Sequence, residues 1–353
     1  TNRKIVALFF DDYRTVRVKN KDSYENLKSH GIPMDRTPFT QYDTLVSSSD
    51  LLALFDVLKS VKDKNGKNAC VTAFTNVANP DFDKIRKSNF TTYFREPFTE
   101  TIKKYGKEYD GVLRVWKQGI AENIFFPAYH GTEHININRF MKALKSNHHS
   151  TMLAFDNESI CVPALSNEME IPNYTTTFDV DILSENEKLK EDIVVGLDMF
   201  EEIFGFRSRL FTPGAGIYSP LLDKTLAEND IKYINTERFR YNPLGNGKYN
   251  REFIYNGKKS EVGQNYIIRN GAFEPTGKDG EKEVNQCLAN IEAAFRWGAP
   301  AIISSHRMNF VGHFDKKHRD DNLTYLAMLL KLIVQKWPNV EFLNGEEMAD
   351  AIF

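Results

Sequence analysis

The sequence has no window approaching 18 consecutive apolar residues, so none of its helices is expected to span a membrane. It has little cysteine. Cys70, Cys161 and Cys287 are odd in number and far apart, which excludes a disulfide framework and a zinc ribbon and leaves room for one bridge at most. It has no excess of charge: 46 basic and 48 acidic residues give a formal net charge of −2, so nothing in the composition suits nucleic acid or an anionic membrane. Gly-x-Ser-x-Gly is missing, which argues against a serine hydrolase. His-Glu-x-x-His is missing, so a zincin protease is unsupported. Repeats, low-complexity tracts and clear linkers are missing too, and residues 1–353 read as a single domain.

What is present is ordinary globular composition, 41% hydrophobic and 27% charged, enough for a sizeable core. Aromatics at 12% suit a sugar-binding surface and a large core equally. The chain begins at Thr1, as a processed mature form would, and a periplasmic or extracellular location is the expectation.

Ile5-Val6-Ala7-Leu8-Phe9-Phe10 is an unbroken apolar run followed at once by Asp11-Asp12-Tyr13. Six apolar residues in a row predict a strand buried on both faces. Two carboxylates at its C-terminal end raise each other's pKa unless a cation relieves them, and the C-terminal edge of parallel strands is where α/β folds place their chemistry. Further strands are expected at 69–74, 123–129, 209–212, 231–235, 266–268, 300–305 and 340–343. Helices are expected at 49–61, 111–117, 138–145, 185–204, 220–229, 282–297, 322–337 and 345–353. This alternation of strand and helix predicts an α/β barrel or a doubly wound sheet. Residues 13–48, 150–177 (with Pro163 and Pro172) and 239–262 read as inserted loops, the last as loops or a small hairpin.

Three strand ends share one character: Asp11-Asp12, His130 with His134, and His306. His-x-x-x-His brings two imidazoles together on one helix face or across a tight loop, able to grip one cation. With 8 histidines, chance alone gives about 0.2 such pairs, so its place at the end of an apolar run carries the weight. His30, His148, His149, His313 and His318 fall in polar stretches and read as solvated.

These motifs resemble the polysaccharide deacetylases of the NodB type, carbohydrate esterase family four. Their first motif, a strand ending Thr-Phe-Asp-Asp-Gly, corresponds to Phe9-Phe10-Asp11-Asp12-Tyr13. Their second, His-(Ser/Thr)-x-x-His, corresponds to His130-Gly131-Thr132-Glu133-His134. Their Leu-x-His corresponds to Ser304-Ser305-His306. The resemblance implies a distorted (β/α)7-type barrel with inserted loops. It implies one divalent metal, zinc, on Asp12, His130 and His134, with Asp11 as general base and His306 as general acid. The reaction implied is removal of N- or O-acetyl groups from a glycan, with the inserts at 13–48, 150–177 and 239–262 expected to shape the glycan cleft.

The chain departs from that pattern at the third motif, Arg-x-Pro-Tyr. Pro213 is in place, but Phe211 stands where the arginine would be and Gly214 where the tyrosine would be. Arg209, Arg269 and Arg307 are the candidate spatial substitutes. The fourth motif, Asp-x-x-Asp-Trp, is not visible around Tyr233–Tyr241. Pro213, Arg269, Glu274 and Arg307 are read as substrate-binding. Two other readings stand beside this one. A glycoside hydrolase needs paired carboxylates about 5–10 Å apart, and Asp11 with Glu274 is the pair available. A non-catalytic glycan-binding protein on a decayed deacetylase scaffold would account for the lost arginine.

Overall fold

The run Ile5–Phe10 forms the middle of a ten-residue strand, Lys4–Tyr13, buried along almost its whole length. The computed structural model describes residues 2–165, 168, 174–277 and 279–353. Lys4–Tyr13 sits at the centre of a sheet whose pairings are all parallel. Across it the strands run Asn265–Ile267, Tyr233–Asn235, Leu210–Phe211, Phe125–Tyr129, Val71–Thr75, Lys4–Tyr13, Ala301–His306 and Gly271–Ala272, and Val340–Phe342 also pairs with the start of Lys4–Tyr13. The two end strands of this path, Asn265–Ile267 and Gly271–Ala272, follow each other in sequence. Ile268, Arg269 and Asn270 alone separate them. The sheet therefore curls until its ends meet through the chain itself rather than through ladder hydrogen bonds. Asn270 seals the seam: its amide donates to the Pro300 carbonyl at 2.8 Å and accepts from the Ile302 N–H at 2.8 Å. Of the two folds the alternation allows, this is the α/β barrel, distorted as the resemblance implies.

The period-two pattern of strands sorts the core. Ile5, Ala7 and Phe9 point inward with Phe74, Ala128 and Ile302, and Met348 and Ala349 of helix Gly345–Ile352 join them, closing the N-terminal end of the barrel. Val6, Leu8 and Phe10 point outward against helices Ser48–Lys59, Val112–Ala121, Gly280–Arg296 and Lys316–Lys336. Helix Glu185–Phe204 covers the neighbouring wall with Ile193, Leu197 and Phe200.

The strongly periodic elements form where the sequence places them. Glu185–Phe204 ends at Gly205, whose φ of 81° suits glycine, and Ser48–Lys59 begins with a capping box between Ser47 and Asp50. The inserts differ from expectation. Residues 13–48 contain helices Lys21–Ser29 and Pro38–Tyr42, which bury too few apolar side chains to show a period. The 150–177 insert opens on helix His149–Asp156. Of the rest, 166–167 and 169–173, Pro172 included, lie outside the described residues. Helix Lys316–Lys336 starts six residues before Asn322, capped by the Asp315 carboxylate. Residues 239–253 form a hairpin, Phe239–Gly245 with Lys248–Phe253. The three cysteines are unbridged.

Gly196, on Glu185–Phe204, lies directly against the Thr132 and Tyr129 hydroxyls, where a Cβ has no room. Overpacking there lifts the helix from the strand end that carries His130. Gly196→Ala is expected to cost about 1–3 kcal/mol in urea denaturation. A variant as stable as the parent would show that this close seating is unnecessary.

Candidate active site

A cavity of about 500 Å³ opens at the C-terminal edge of the sheet, lined by Asp11, Asp12, His130, His134, Arg269 and His306 among others. Strand alternation explains most of this. Asp11 continues the inward row Ile5, Ala7, Phe9, and His306 continues Ile302 and Ser304. Asp12 belongs to the outward row and should face away. It does not, because its φ is +71° and the register with Val71–Thr75 shifts between Phe10 and Tyr13. This bulge with a left-handed residue turns the second carboxylate into the same cavity. Such a conformation costs a non-glycine residue of order 1 kcal/mol or more and clusters at functional sites.

His130 follows strand Phe125–Tyr129, and the loop His130–His134 brings the second imidazole back beside it. Of the two geometries the spacing allows, the structure has the tight loop. Gly131, with φ of +104°, takes the backbone conformation that the serine or threonine of the resembled motif would resist. The loop is pinned by the Thr132 carbonyl accepting from Val77 and Ala78 N–H, and by Asn76 donating to the His130 and Gly131 carbonyls. Its Glu133 is buried on Arg95, at 2.8 Å.

Asp12 Oδ1 lies 3.4 Å from His130 Nε2 and 3.2 Å from His134 Nε2. All three residues are buried, and their ligand atoms fall within 4.8 Å of one another. Ligand atoms ~2.0–2.1 Å from one tetrahedral ion stand about 3.3 Å apart. His130 Nδ1 donates to the Thr212 carbonyl at 2.8 Å, which fixes the tautomer, and its buried Nε2 makes no hydrogen bond. Burial pushes His134 below its ordinary pKa, leaving a neutral imidazole. Burial works against ionised Asp12, but the two imidazoles outweigh it and hold the carboxyl well below the usual range. The three residues fit a divalent cation.

Arg269 occupies the seam between the sheet's ends. Its Nη1 and Nη2 donate to the two oxygens of Asp11, at 2.5 and 2.7 Å, and its Nε donates to Asn235 Oδ1 at 2.8 Å. Of the three arginines that could substitute for the missing one, this is the one at the site. Arg209 pairs with Glu346 and Asp350 instead. Burial would raise Asp11, but Arg269 more than offsets it and keeps the carboxyl below its ordinary value. His306 Nε2 stands 3.9 Å from Asp11 Oδ2. Its Nδ1 bonds Glu274 Oε1 at 2.6 Å, and Asn309 donates to the other Glu274 oxygen at 2.7 Å. Burial alone would lower His306, but Glu274 and the two aspartates raise it to about 9. The ring of Phe39 packs edge-on against it at 5.1 Å.

Four expectations change. Arg307 is fully buried, with Nε on Asp43 at 2.8 Å, and does not reach the cavity, so it is not a substrate contact. Glu274 is taken up by His306 and Asn309 rather than facing substrate, which also removes the Asp11–Glu274 pair as two free acids across a cleft. His318 is not solvated but stacks on Tyr42 at 3.9 Å. The hairpin in 239–262 stands outside the cavity, whereas the first two inserts reach it through Thr37, Phe39, Cys161 and Thr175. Pro213 is on its wall as expected. Sequence reasoning missed Arg17, 3.6 Å from Asp12 Oδ2, and Glu237 on the rim; neither stands in a motif that would single it out.

The family model of glycosyl hydrolase family 57 matches residues 71–272, more than half of the chain. No curated protein sequence matches significantly. Among solved structures, a protein from Parabacteroides distasonis described as a glycoside hydrolase/deacetylase is 9% identical with a TM-score of 0.56, over 99% of this chain and 71% of that one. The α-amylase AmyC from Thermotoga maritima is 10% identical with a TM-score of 0.50, over 100% and 75%. A protein from Pseudomonas aeruginosa described as a polysaccharide deacetylase is 12% identical with a TM-score of 0.49, over 99% and 91%. At such identities the likeness is one of fold.

Because Arg307 and Asp43 are both wholly buried, Arg307→Met takes away the charge that hydrogen-bonds Asp43 and leaves that carboxylate only Arg17, 3.6 Å away. The expected loss is about 3–5 kcal/mol of stability in urea denaturation. Unchanged stability would return Arg307 to the list of substrate contacts.

Proposed function

The chain belongs to glycosyl hydrolase family 57, a carbohydrate-active hydrolase family, and from that premise we propose that its cavity removes acetyl groups from a glycan by metal-assisted hydrolysis. The motifs that resemble carbohydrate esterase family four sit on a barrel shared with the solved structure described as a glycoside hydrolase/deacetylase. The observation that carries the reading is the buried Asp12-His130-His134 cluster beside two groups held in opposite protonation states. Environments that drive two neighbouring titratable groups apart mark an acid and a base.

Asp12 Oδ1 and the two Nε2 atoms would hold the ion. When bound, a divalent ion lowers the pKa of water and polarises a carbonyl. The chain supplies the rest. Arg269 keeps Asp11 ionised and fixes its plane, so that Asp11 takes the proton of the attacking water. Thr212 holds His130 in the tautomer that leaves Nε2 free. Glu274 keeps His306 charged, and its Nε2 gives a proton to the amine or alcohol as the acetyl C–N or C–O bond breaks. Atoms balance as one water consumed, with acetate and a free amine or hydroxyl formed.

The family name favours a second reading, hydrolysis of a glycosidic bond. That chemistry needs two available carboxylates. In this cavity Asp12 faces two imidazoles, which leaves Asp11, held by Arg269, and Glu237 as the acids on the lining.

As purified, or after zinc is supplied, the protein is expected to hold about one divalent ion per chain, lost in His134→Ala. Asp11→Asn is expected to keep the ion while acetate release from acetylated oligosaccharides falls about 10²–10⁴-fold. Loaded protein that cleaves nitrophenyl glycosides and releases no acetate would replace this reading with the second. The pH profile checks the acid. His306 must be protonated to donate, so the rate should decline as pH rises through about 9. Glu274→Gln removes the partner that raises it, and the decline should begin at lower pH. A profile that Glu274→Gln leaves in place would take His306 out of the acid role.

A further inference from the structure

The seven most exposed aromatic side chains among the described residues are not scattered. Six of them form one track: Tyr241, Tyr249, Phe239, Phe253, Tyr255 and Trp297, from 37% to 89% exposed. The seventh, Phe353, lies against Gly257, two residues beyond Tyr255. The hairpin register explains the track. Phe239 pairs with Phe253, Tyr241 with Arg251 and Pro243 with Tyr249, so Phe239, Phe253, Tyr241 and Tyr249 project from one face of the hairpin, while Tyr255 follows its second strand and Trp297 comes from the end of helix Gly280–Arg296. The opposite face turns Arg240 inward onto the Tyr218 and Tyr266 hydroxyls, each at 2.7 Å. Ring centroids follow at 6.2 Å for Tyr241–Tyr249, 5.5 Å for Phe239–Phe253 and 6.4 Å for Phe253–Tyr255. Arg251 lies 3.8 Å over the Phe239 ring and braces it. A contiguous exposed apolar patch of this kind marks an interaction site.

At its far end the track enters a groove of about 450 Å³, where Phe253, Tyr255 and Trp297 share the walls with Arg238, Asn256 and Asn290. Arg238 has no carboxylate partner among the described residues, and Asn256 uses its oxygen on the Ile268 N–H, leaving its amide hydrogens to face out. Flat rings beside amide and guanidinium donors match the two sides of a pyranose, an apolar C–H face and a hydroxyl edge. The groove backs onto the wall of the cavity. Glu237 is on the cavity wall and Arg238, the next residue, is on the groove wall, while Arg269 faces the cavity between Ile268 and Asn270, which line the groove. A second protein copy fits less well. A stable interface takes about 20–30 residues a side, and this ribbon offers a handful of rings.

We propose that the hairpin and groove form a non-catalytic binding surface for a chain of neutral hexopyranose units. The choice of a carbohydrate as occupant rests on the carbohydrate-active family to which the chain belongs; it does not depend on which bond the cavity hydrolyses.

The test is affinity electrophoresis of the full chain in native gels containing soluble starch, hydroxyethyl cellulose or glycol chitin. At least one polymer should retard the protein, and Phe239→Ala/Phe253→Ala/Trp297→Ala should weaken that at least about tenfold, as the loss of three stacking faces implies. His134→Ala should be retarded like the parent, and the triple variant should hydrolyse nitrophenyl acetate at the parent rate. These two outcomes separate the track from the cavity: retention without acetate release would sink the deacetylase and leave the track standing. No retardation in any of the three polymers, equal retardation of the triple variant, or a self-association lost in that variant would overturn the proposal.

Discussion

The bond between Arg269 and Asp11 ties the fold to its site. The barrel is not closed by hydrogen bonds between its end strands; it is closed by three residues of chain, and the middle one reaches to the central strand and grips its carboxylate with two donors. A bidentate pair of this kind is directional, so it sets the plane of Asp11 as well as its charge. Asp11 is buried and Arg269 largely so, and removing either would leave the other's charge without its closest partner. The same contact thus holds the seam, orients a cavity carboxylate and keeps it ionised.

Around that contact, the site is assembled by small departures from regularity. A straight strand would show the cavity one aspartate; the bulge at Asp12 shows it two. A serine after His130 would resist the backbone conformation that brings His134 round; glycine adopts it readily. Asn235 accepts from Arg269 and Thr212 while donating to the Ile267 carbonyl, so one amide links three strand ends. The departures lie at the C-terminal edge, and the regular ladders lie below it.

How much could be read from the sequence follows from the range of the forces involved. Ile5–Phe10 and the apolar stripe of Glu185–Phe204 are local patterns, and both elements formed as expected. Helices Lys21–Ser29 and Pro38–Tyr42 carry almost no apolar period because they pack by one or two side chains each, so the pattern was too faint to read. At the site, residues ending apolar runs could be named: Asp11, Asp12, His130 and His306. Partners supplied from elsewhere could not be assigned. Arg269, Arg307 and Arg209 look alike in the sequence, yet one meets Asp11, one meets buried Asp43 and one meets the C-terminal helix. Glu274 was read as facing substrate because it follows a strand; its distance to His306 is a tertiary fact.

The order of strands also has a consequence for how the molecule comes to exist. Lys4–Tyr13 is made before the other strands of the sheet, yet two of its partners, Ala301–His306 and Val340–Phe342, and the helix that stoppers the barrel, are made after them. Contacts of such sequence separation form slowly because the intervening loop must first be closed. Until then the most apolar strand of the protein has one edge without its parallel neighbour, the kind of surface that invites association between nascent chains. A barrel stitched shut by segments so far apart in sequence leaves residues 5–10 half-paired until Ala301–His306 and Val340–Phe342 have been made.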